Sequence, residues 1–304
     1  FGVIPALGTT RGLTATSDSR VAGERAANVT GQRVLLAFQV AVTIVLLFGA
    51  GLFIRSLHHA LALDLGLVSR PVVMAQIAPR LQQYPPERIQ TLLDQATARI
   101  ASLPGVRSGG AAKRPPLTDG DGFVAQEIEG YARGRDEEMR FESNFVLPQY
   151  FRTLGIELLS GREFTEADRA GAPAVAVISE TMARRYWSGR DPIGTRIRSR
   201  SFPEPIEIVG VANDVTVGID GTAQPFVYLA LRQHPRFLRA LAPMVLFARA
   251  DSDPRRLTTS MRDVIREIDA SVPITEVTTL DARIGDLLMP QRFGRTLLAT
   301  LAAV

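Results

Sequence analysis

Cysteine is absent from this chain of 304 residues. Disulfides, thiolate metal sites, iron–sulfur clusters and a cysteine nucleophile are thereby excluded. Lysine is nearly absent too, because every basic side chain except Lys113 is an arginine. A P-loop needs Gly-Lys-Ser/Thr so that the ammonium group reaches the phosphates, and Lys113 follows Ala112 instead. No G-x-S-x-G nucleophile elbow and no G-x-G-x-x-G phosphate turn occurs. Histidine is limited to His58, His59 and His234. Adjacent histidines point to different sides of a helix, so His58 and His59 make a poor metal pair. Asp119/Asp121 and Glu127/Glu129 have the spacing of acid–base couples, yet Glu127 and Glu129 share one face of a strand, read here as the wet one. Excess charge is small, a formal +4. Arg133 and Arg135 run into Asp136, Glu137 and Glu138, and no basic face with interleaved aromatics accompanies them or Arg196–Arg200. These absences predict no catalytic residue, no cofactor, no metal and no nucleic-acid partner, hence no enzyme. With 46% hydrophobic and 22% charged residues, the bulk of the chain is nonetheless that of a packed protein.

Against that background one segment stands out. From Val34 to Ile54 run 21 residues without an ionisable side chain, fourteen of them Val, Leu, Ile or Phe. A helix of that length reaches about 31 Å, which matches a hydrocarbon core of roughly 30 Å. At about −0.3 to −0.6 kcal/mol each, the aliphatic and phenyl side chains favour insertion by roughly −4 to −8 kcal/mol. Buried helices of soluble proteins seldom run so long without a charge, and a signal-peptide core is shorter and lies nearer the N-terminus. Residues 34–54 therefore read as a transmembrane helix flanked by Arg33 and Arg55. Arg11, Arg20, Arg25 and Arg33 precede it, so the positive-inside bias places residues 1–33 in the cytoplasm and the following chain outside it. Gln39 with the small residues Ala37, Ala41, Gly49 and Gly51 suits packing against other membrane helices. The chain opens on Phe1, and a second apolar run, Thr296–Val304, closes it. It reads as a piece of a longer polypeptide, with residues 291–304 starting a second span.

Between the spans, residues 55–290 carry mixed strand and helix signals, an α+β pattern. Val72–Ala78 reads as a buried strand, and Pro85-Pro86-Glu87 opens a helix with an apolar stripe at Ile89, Leu92, Leu93, Ala96, Ile100 and Leu103. Pro104-Gly105 ends it before a strand at Val106–Ala112. A similar unit recurs later. Val245–Ala250 reads as a strand, Asp253-Pro254 as a helix start, and Leu257, Met261, Val264, Ile265 and Ile268 as the stripe before a strand at Ile274–Val277. Two strand–helix–strand units thus predict one layer built from both ends of the region. A smaller α/β subdomain at about 145–215 is inserted between them. Within it Thr165–Asp168 has capping-box spacing, Val175–Ile178 is a strand, Ser179 caps a helix, and Asp191-Pro192-Ile193-Gly194 is a turn.

The stretch from Pro148 through Tyr150, Phe151, Gly155, Gly161 and Arg162 to Phe164 resembles the extracytoplasmic core domain of MacB-type permeases. Ala174–Trp187 with Tyr186 and Trp187, then Asp191, Pro192 and Gly194, then Val209–Val215 with Gly210 and Asp214, continue the likeness in family order. Residues 33–57 are similar to the first transmembrane helix of that family, and Phe1–Leu7 resembles the end of an FtsX-type module. The resemblance implies a duplicated orphan permease of the acidobacterial type, with residues 1–33 linking a preceding membrane module to the second extracytoplasmic domain. It also implies a multipass protein of the cell inner membrane, with residues from about 56 to 290 extracytoplasmic. Its partners would be other transmembrane helices of the same permease, a separate cytosolic ABC ATPase and an envelope partner. The function implied is that of a permease subunit in an ABC-type export or mechanotransmission system. The alternative is a membrane-tethered interaction module that regulates an envelope partner without transport.

Overall fold

The structure, a computed structural model, describes residues 36–49, 51, 71–79, 83–118, 120–215, 223–239 and 243–287. The chain divides into two compact units, one made of Phe1–His58 with Phe293–Val304 and the other of His59–Arg292. In the first, residues 36–49 form helix α1. Its apolar side chains, Leu36, Phe38 and Ile44 to Phe48 among them, are exposed, and the Thr43 hydroxyl donates to the Gln39 carbonyl at 2.8 Å. That bond satisfies the one hydroxyl of the helix within its own backbone. Among the described residues no helix is long and apolar enough to cross a membrane. The flanks Arg33 and Arg55, and the second span expected at 291–304, lie outside the described residues, as do His58, His59 and Asp119.

The second unit is organised by strand pairing. β1 (Val72–Ile77), β2 (Val106–Ala112), β10 (Met244–Ala250) and β11 (Ile274–Thr279) form an antiparallel sheet in the order β11-β1-β10-β2. Helix α2 (Pro86–Ala101) joins β1 to β2, and α5 (Leu257–Ile268) joins β10 to β11. Each strand–helix–strand unit therefore has a strand of the other unit inserted between its own two, the split βαβ arrangement. The expected layer from both ends of the region is present. Strand β1 is buried on both faces: Val73, Ala75 and Ile77 enter one apolar cluster, Val72 and Met74 the other. Period-2 alternation cannot show in such a strand, which reads instead as a continuous apolar run. Helix α2 buries Ile89, Leu92, Leu93 and Ile100, on the order of 6–12 kcal/mol of gross burial before entropy is subtracted.

Between β2 and β10 lies the rest of the unit: β3 (Asp121–Ile128), β4 (Arg140–Val146), α3 (Tyr150–Leu154), β5 (Leu158–Gly161), β6 (Val175–Ser179), α4 (Glu180–Tyr186), β7 (Arg196–Ser199), β8 (Ile206–Ala212) and β9 (Phe226–Ala230). Hydrogen bonding runs β4–β3–β7–β8–β6–β9 and, through a parallel β9–β4 pairing, returns to β4. The six strands close a ring, and β5 adds to it along β8. The stretch expected as an insertion, about 145–215, thus supplies β6, β7 and β8 of a ring that also draws in β3, β4 and β9, with β5 beside it. The signal for that closure is long-range pairing, which local pattern does not carry. Ring and four-stranded sheet join where Ala112 lies opposite Val146, with flanking backbone bonds from Lys113 N to Phe145 O at 2.8 Å and from Leu147 N to Ala111 O at 2.9 Å, and both apolar clusters run through the two parts. They are also tied by Arg232, whose Nε and Nη2 donate to Asp94 Oδ1 of α2 at 3.1 and 2.9 Å while Nη1 meets Glu166.

Candidate functional site

The residues of the expected signature occupy described positions, where the aromatic ones fill the core and the others serve turns, caps, an ion pair and a close crossing. Tyr150 and Phe151 begin α3, which Gly155 ends in the left-handed region at φ 73°. Their rings sit among Phe164, Tyr228 and Phe247, with Phe151 5.0 Å from Tyr228 and Tyr150 5.8 Å from Phe247. Burial pushes the Tyr150 and Tyr228 hydroxyls well above the ordinary phenol value, so neither is a proton donor for chemistry near neutral pH. Gly161, at φ +73°, crosses β8 so closely that a Cβ would strike the Val209 carbonyl and lie 2.8 Å from Gly210 Cα. Arg162 and Asp168 form a two-point pair, Nη1 to Oδ2 at 2.8 Å and Nη2 to Oδ1 at 3.0 Å. Burial alone would raise the Asp168 carboxyl, yet Arg162 and the Thr165 N–H hold it below its ordinary value. Thr165–Asp168 therefore closes a turn rather than opening a helix: the Asp168 carboxylate accepts from the Thr165 N–H at 2.7 Å.

Helix α4 starts as its sequence predicts, with Ser179 Oγ accepting from Met182 N at 3.3 Å. Asp214 adds a second cap, accepting from Thr181 N at 2.9 Å and from Thr181 Oγ1 at 2.7 Å. Tyr186 and Trp187 are core residues at the helix end. In the turn that follows, Asp191 Oδ1 accepts from Ile193 N at 3.0 Å, Pro192 O accepts from Thr195, and Gly194 takes φ 80°. The helix-packing candidates Gln39, Ala37, Ala41, Gly49 and Gly51 are exposed on the first unit.

Glu127 and Glu129 take separate partners, and Asp121 is described without Asp119. Glu127 lies 3.5 Å from Arg198 and Glu129 accepts from Arg196 N at 3.0 Å, both at the surface. Asp121 meets the single lysine: Lys113 Nζ, 4% exposed as a residue, donates to Oδ2 at 2.7 Å, and Arg114 donates to Oδ1 at 2.8 Å. Burial raises the Asp121 carboxyl, but the two cations more than offset this and leave it below the usual range. Two cations on one carboxylate make a clamp, not an acid–base couple. Among the described residues no group of three or more His, Asp or Glu side chains could hold a metal ion.

One cavity was not singled out by sequence reasoning. A cleft of about 540 Å³ is lined by Gly171–Ala174, Phe202–Glu204 and Gln233–Arg236. Its walls come from the turn before β6, the turn after β7 and the segment linking β9 to β10, which no local pattern brings together. The sequence signal was the juxtaposition Gln233-His234-Pro235. Gln233 braces two walls, accepting from Val175 N at 3.0 Å and donating to Pro173 O at 2.7 Å. His234 is buried among Phe145, Phe202 and Phe237, with the Phe202 ring 4.7 Å away. Burial and the nearby Arg236 push its pKa down to about 4, so it is neutral at pH 7.

The fold is thus a split βαβ sheet joined to a closed ring of strands, with a cleft at the ring. A family model described as the MacB-like periplasmic core domain matches residues 40–264, and the chain belongs to that family. It is 26% identical over 180 residues to the ABC transporter permease YknZ of Bacillus subtilis (strain 168), a match covering 53% of this chain and 44% of that one. The chain thus spans less than half the length of that relative. Among solved structures it is similar to the periplasmic region of MacB from Actinobacillus actinomycetemcomitans, with 14% identity, TM-score 0.48, and 76% and 98% of the two chains covered. It is also similar to the extracellular domain of YknZ, a noncanonic ABC-type transporter from Gram-positive bacteria, with 13% identity, TM-score 0.43, and 67% and 100% covered. The expected resemblance to MacB-type permeases is borne out at the level of the family.

Proposed function

We propose that this chain serves as part of a permease subunit in an ABC-type export or mechanotransmission system. It supplies one membrane helix, residues 34–54, and the extracytoplasmic core domain, residues 55–290. Two arguments support the reading. The family match covers residues 40–264, most of the core domain, and the 21-residue uncharged run has the length and apolarity for lipid. Gln39 and the small residues Ala37, Ala41, Gly49 and Gly51 are then the contacts to other helices of the same permease, with Arg33 and Arg55 at the two lipid boundaries. A separate cytosolic ABC ATPase drives the cycle, and the core domain meets an envelope partner. The protein lies in the cell inner membrane with 55–290 outside the cytoplasm.

Reporter fusions near residues 20 and 220 test the layout. Opposite sides of the membrane are expected, and the same side for both overturns it. Coupling is tested by co-purifying the full-length permease with its ATPase. ATP hydrolysis that depends on the pair supports the transport reading, whereas a stable pair without stimulated hydrolysis favours a regulatory tether.

A further inference from the structure

We propose that the cleft beside His234 is a binding site for a small amphiphile with a flat apolar body and a single negative charge. The inference stands apart from the transport reading, because it rests on the cleft alone. Its volume, about 540 Å³, lies within the range of small-molecule sites. Three prolines, Pro173, Pro203 and Pro235, stiffen the lining, and Gln233 ties Pro173 and Val175 to the third wall. The site is therefore largely preformed, which lowers the ordering cost of binding.

Its chemistry follows from what the lining offers. Phe202, Ala172, Ala174 and the prolines give an apolar body a dry surface. The Gln233 amide is committed to the wall and His234 is neutral, so neither attracts a charge. Arg236 is the cation of the lining. Its guanidinium lies 5.7 Å from the Phe202 ring centre and 4.9 Å from that of Phe237, and one nitrogen donates to Ser201 O. That hydrogen bond goes to a backbone carbonyl and not to a carboxylate. The two ring contacts and the Ser201 bond hold the guanidinium at the cleft and leave its remaining N–H groups for a carboxylate or sulfonate. Glu204 at the same cleft repels a second negative charge, which selects a monoanion over a dianion.

The test uses the chain reconstituted in lipid nanodiscs, with empty nanodiscs as the blank, and three probes of one shape: 2-naphthoate, 2-naphthylmethanol and 2-naphthylmethylamine. Calorimetric titration is expected to show saturable 2-naphthoate binding with a dissociation constant below about 1 mM. The alcohol should bind about tenfold more weakly and the amine more weakly still. Arg236→Gln should bring the carboxylate down to the level of the alcohol, and Ala172→Trp, which fills the cleft, should abolish binding of all three. Thermal unfolding of both variants checks that they remain folded, and Ala174→Trp serves in place of Ala172→Trp should that variant not fold. No saturable binding of 2-naphthoate, equal binding of acid and amine, or binding unchanged by the filling variant each overturns the proposal.

Discussion

Gly161 of β5 and Gly210 of β8 are paired across the sheet so closely that neither has room for a Cβ, the Gly210 side being closed by the Arg162 carbonyl. The contact is backbone on backbone, so no side-chain rotation relieves it. Gly161→Ala should therefore cost about 3 kcal/mol or more, the sum of left-handed strain and a clash that parts the strands. Gly189, at φ +75° with nothing within 4 Å of an added Cβ, separates the two causes. Gly189→Ala carries the strain alone, about 1 kcal/mol. Denaturant midpoints of the two variants check this, and equal losses would show that the crossing relaxes freely.

Arg162 and Asp168 yield a prediction with a pH dependence. Asp168 has a folded-state pKa below its unfolded value, so its contribution is present above about pH 4 and fades as the pH falls through the folded value. Asp168→Asn keeps the shape but loses the charge-assisted pair and should cost about 1–2 kcal/mol near neutral pH. Between pH 5 and 2 the wild type should lose that advantage and converge on the variant. Unfolding free energies measured across that range decide it, and a constant gap would place the effect in packing instead.

The Lys113–Asp121–Arg114 clamp is asymmetric, which makes its two ends unequal under mutation. Lys113 is buried, whereas the Asp121 side chain keeps some access to solvent and has two partners. Asp121→Asn leaves a buried ammonium without its counter-charge and should cost about 3 kcal/mol. Lys113→Met leaves Asp121 paired with Arg114 and should cost about 1 kcal/mol or less. The reverse order of the two thermal midpoints would contradict the burial argument.

Much of the scaffold could be read locally, and the reason lies in where each signal resides. α2 and α5 show themselves through apolar stripes that a sheet-packed helix requires, and β2 falls at Val106–Ala112 because Pro104-Gly105 marks its start. Asp253 caps a short 3-10 turn, Pro254–Arg256, rather than α5 itself, so the cap was legible while the helix start was displaced to Leu257. The β9–β4 pairing that closes the ring joins Phe226–Ala230 to Glu142–Val146, a separation that no periodicity encodes. The cleft is hidden for the same cause, since Pro173, Pro203 and Pro235 meet only once the ring has formed. The signature residues Gly161, Arg162 and Asp214 were visible as a family pattern, but their roles as a close crossing, an ion pair and a helix cap needed coordinates.

His234 gives the last prediction. Its ring is held neutral among Phe145, Phe202 and Phe237, with a folded pKa of about 4 against 6.5 for a free histidine. Below pH 6.5 the unfolded chain binds a proton that the folded chain refuses, so stability falls as the pH drops from about 6.5 to 4. The slope approaches about 1.4 kcal/mol per pH unit and the whole loss is on the order of 3 kcal/mol. His234→Leu removes the proton site while keeping an apolar side chain, and its stability should be flatter across that window even where its value at pH 7 is lower. Parallel pH curves for wild type and variant would mean that the imidazole is protonated in place, with the aromatic cage opening to admit water.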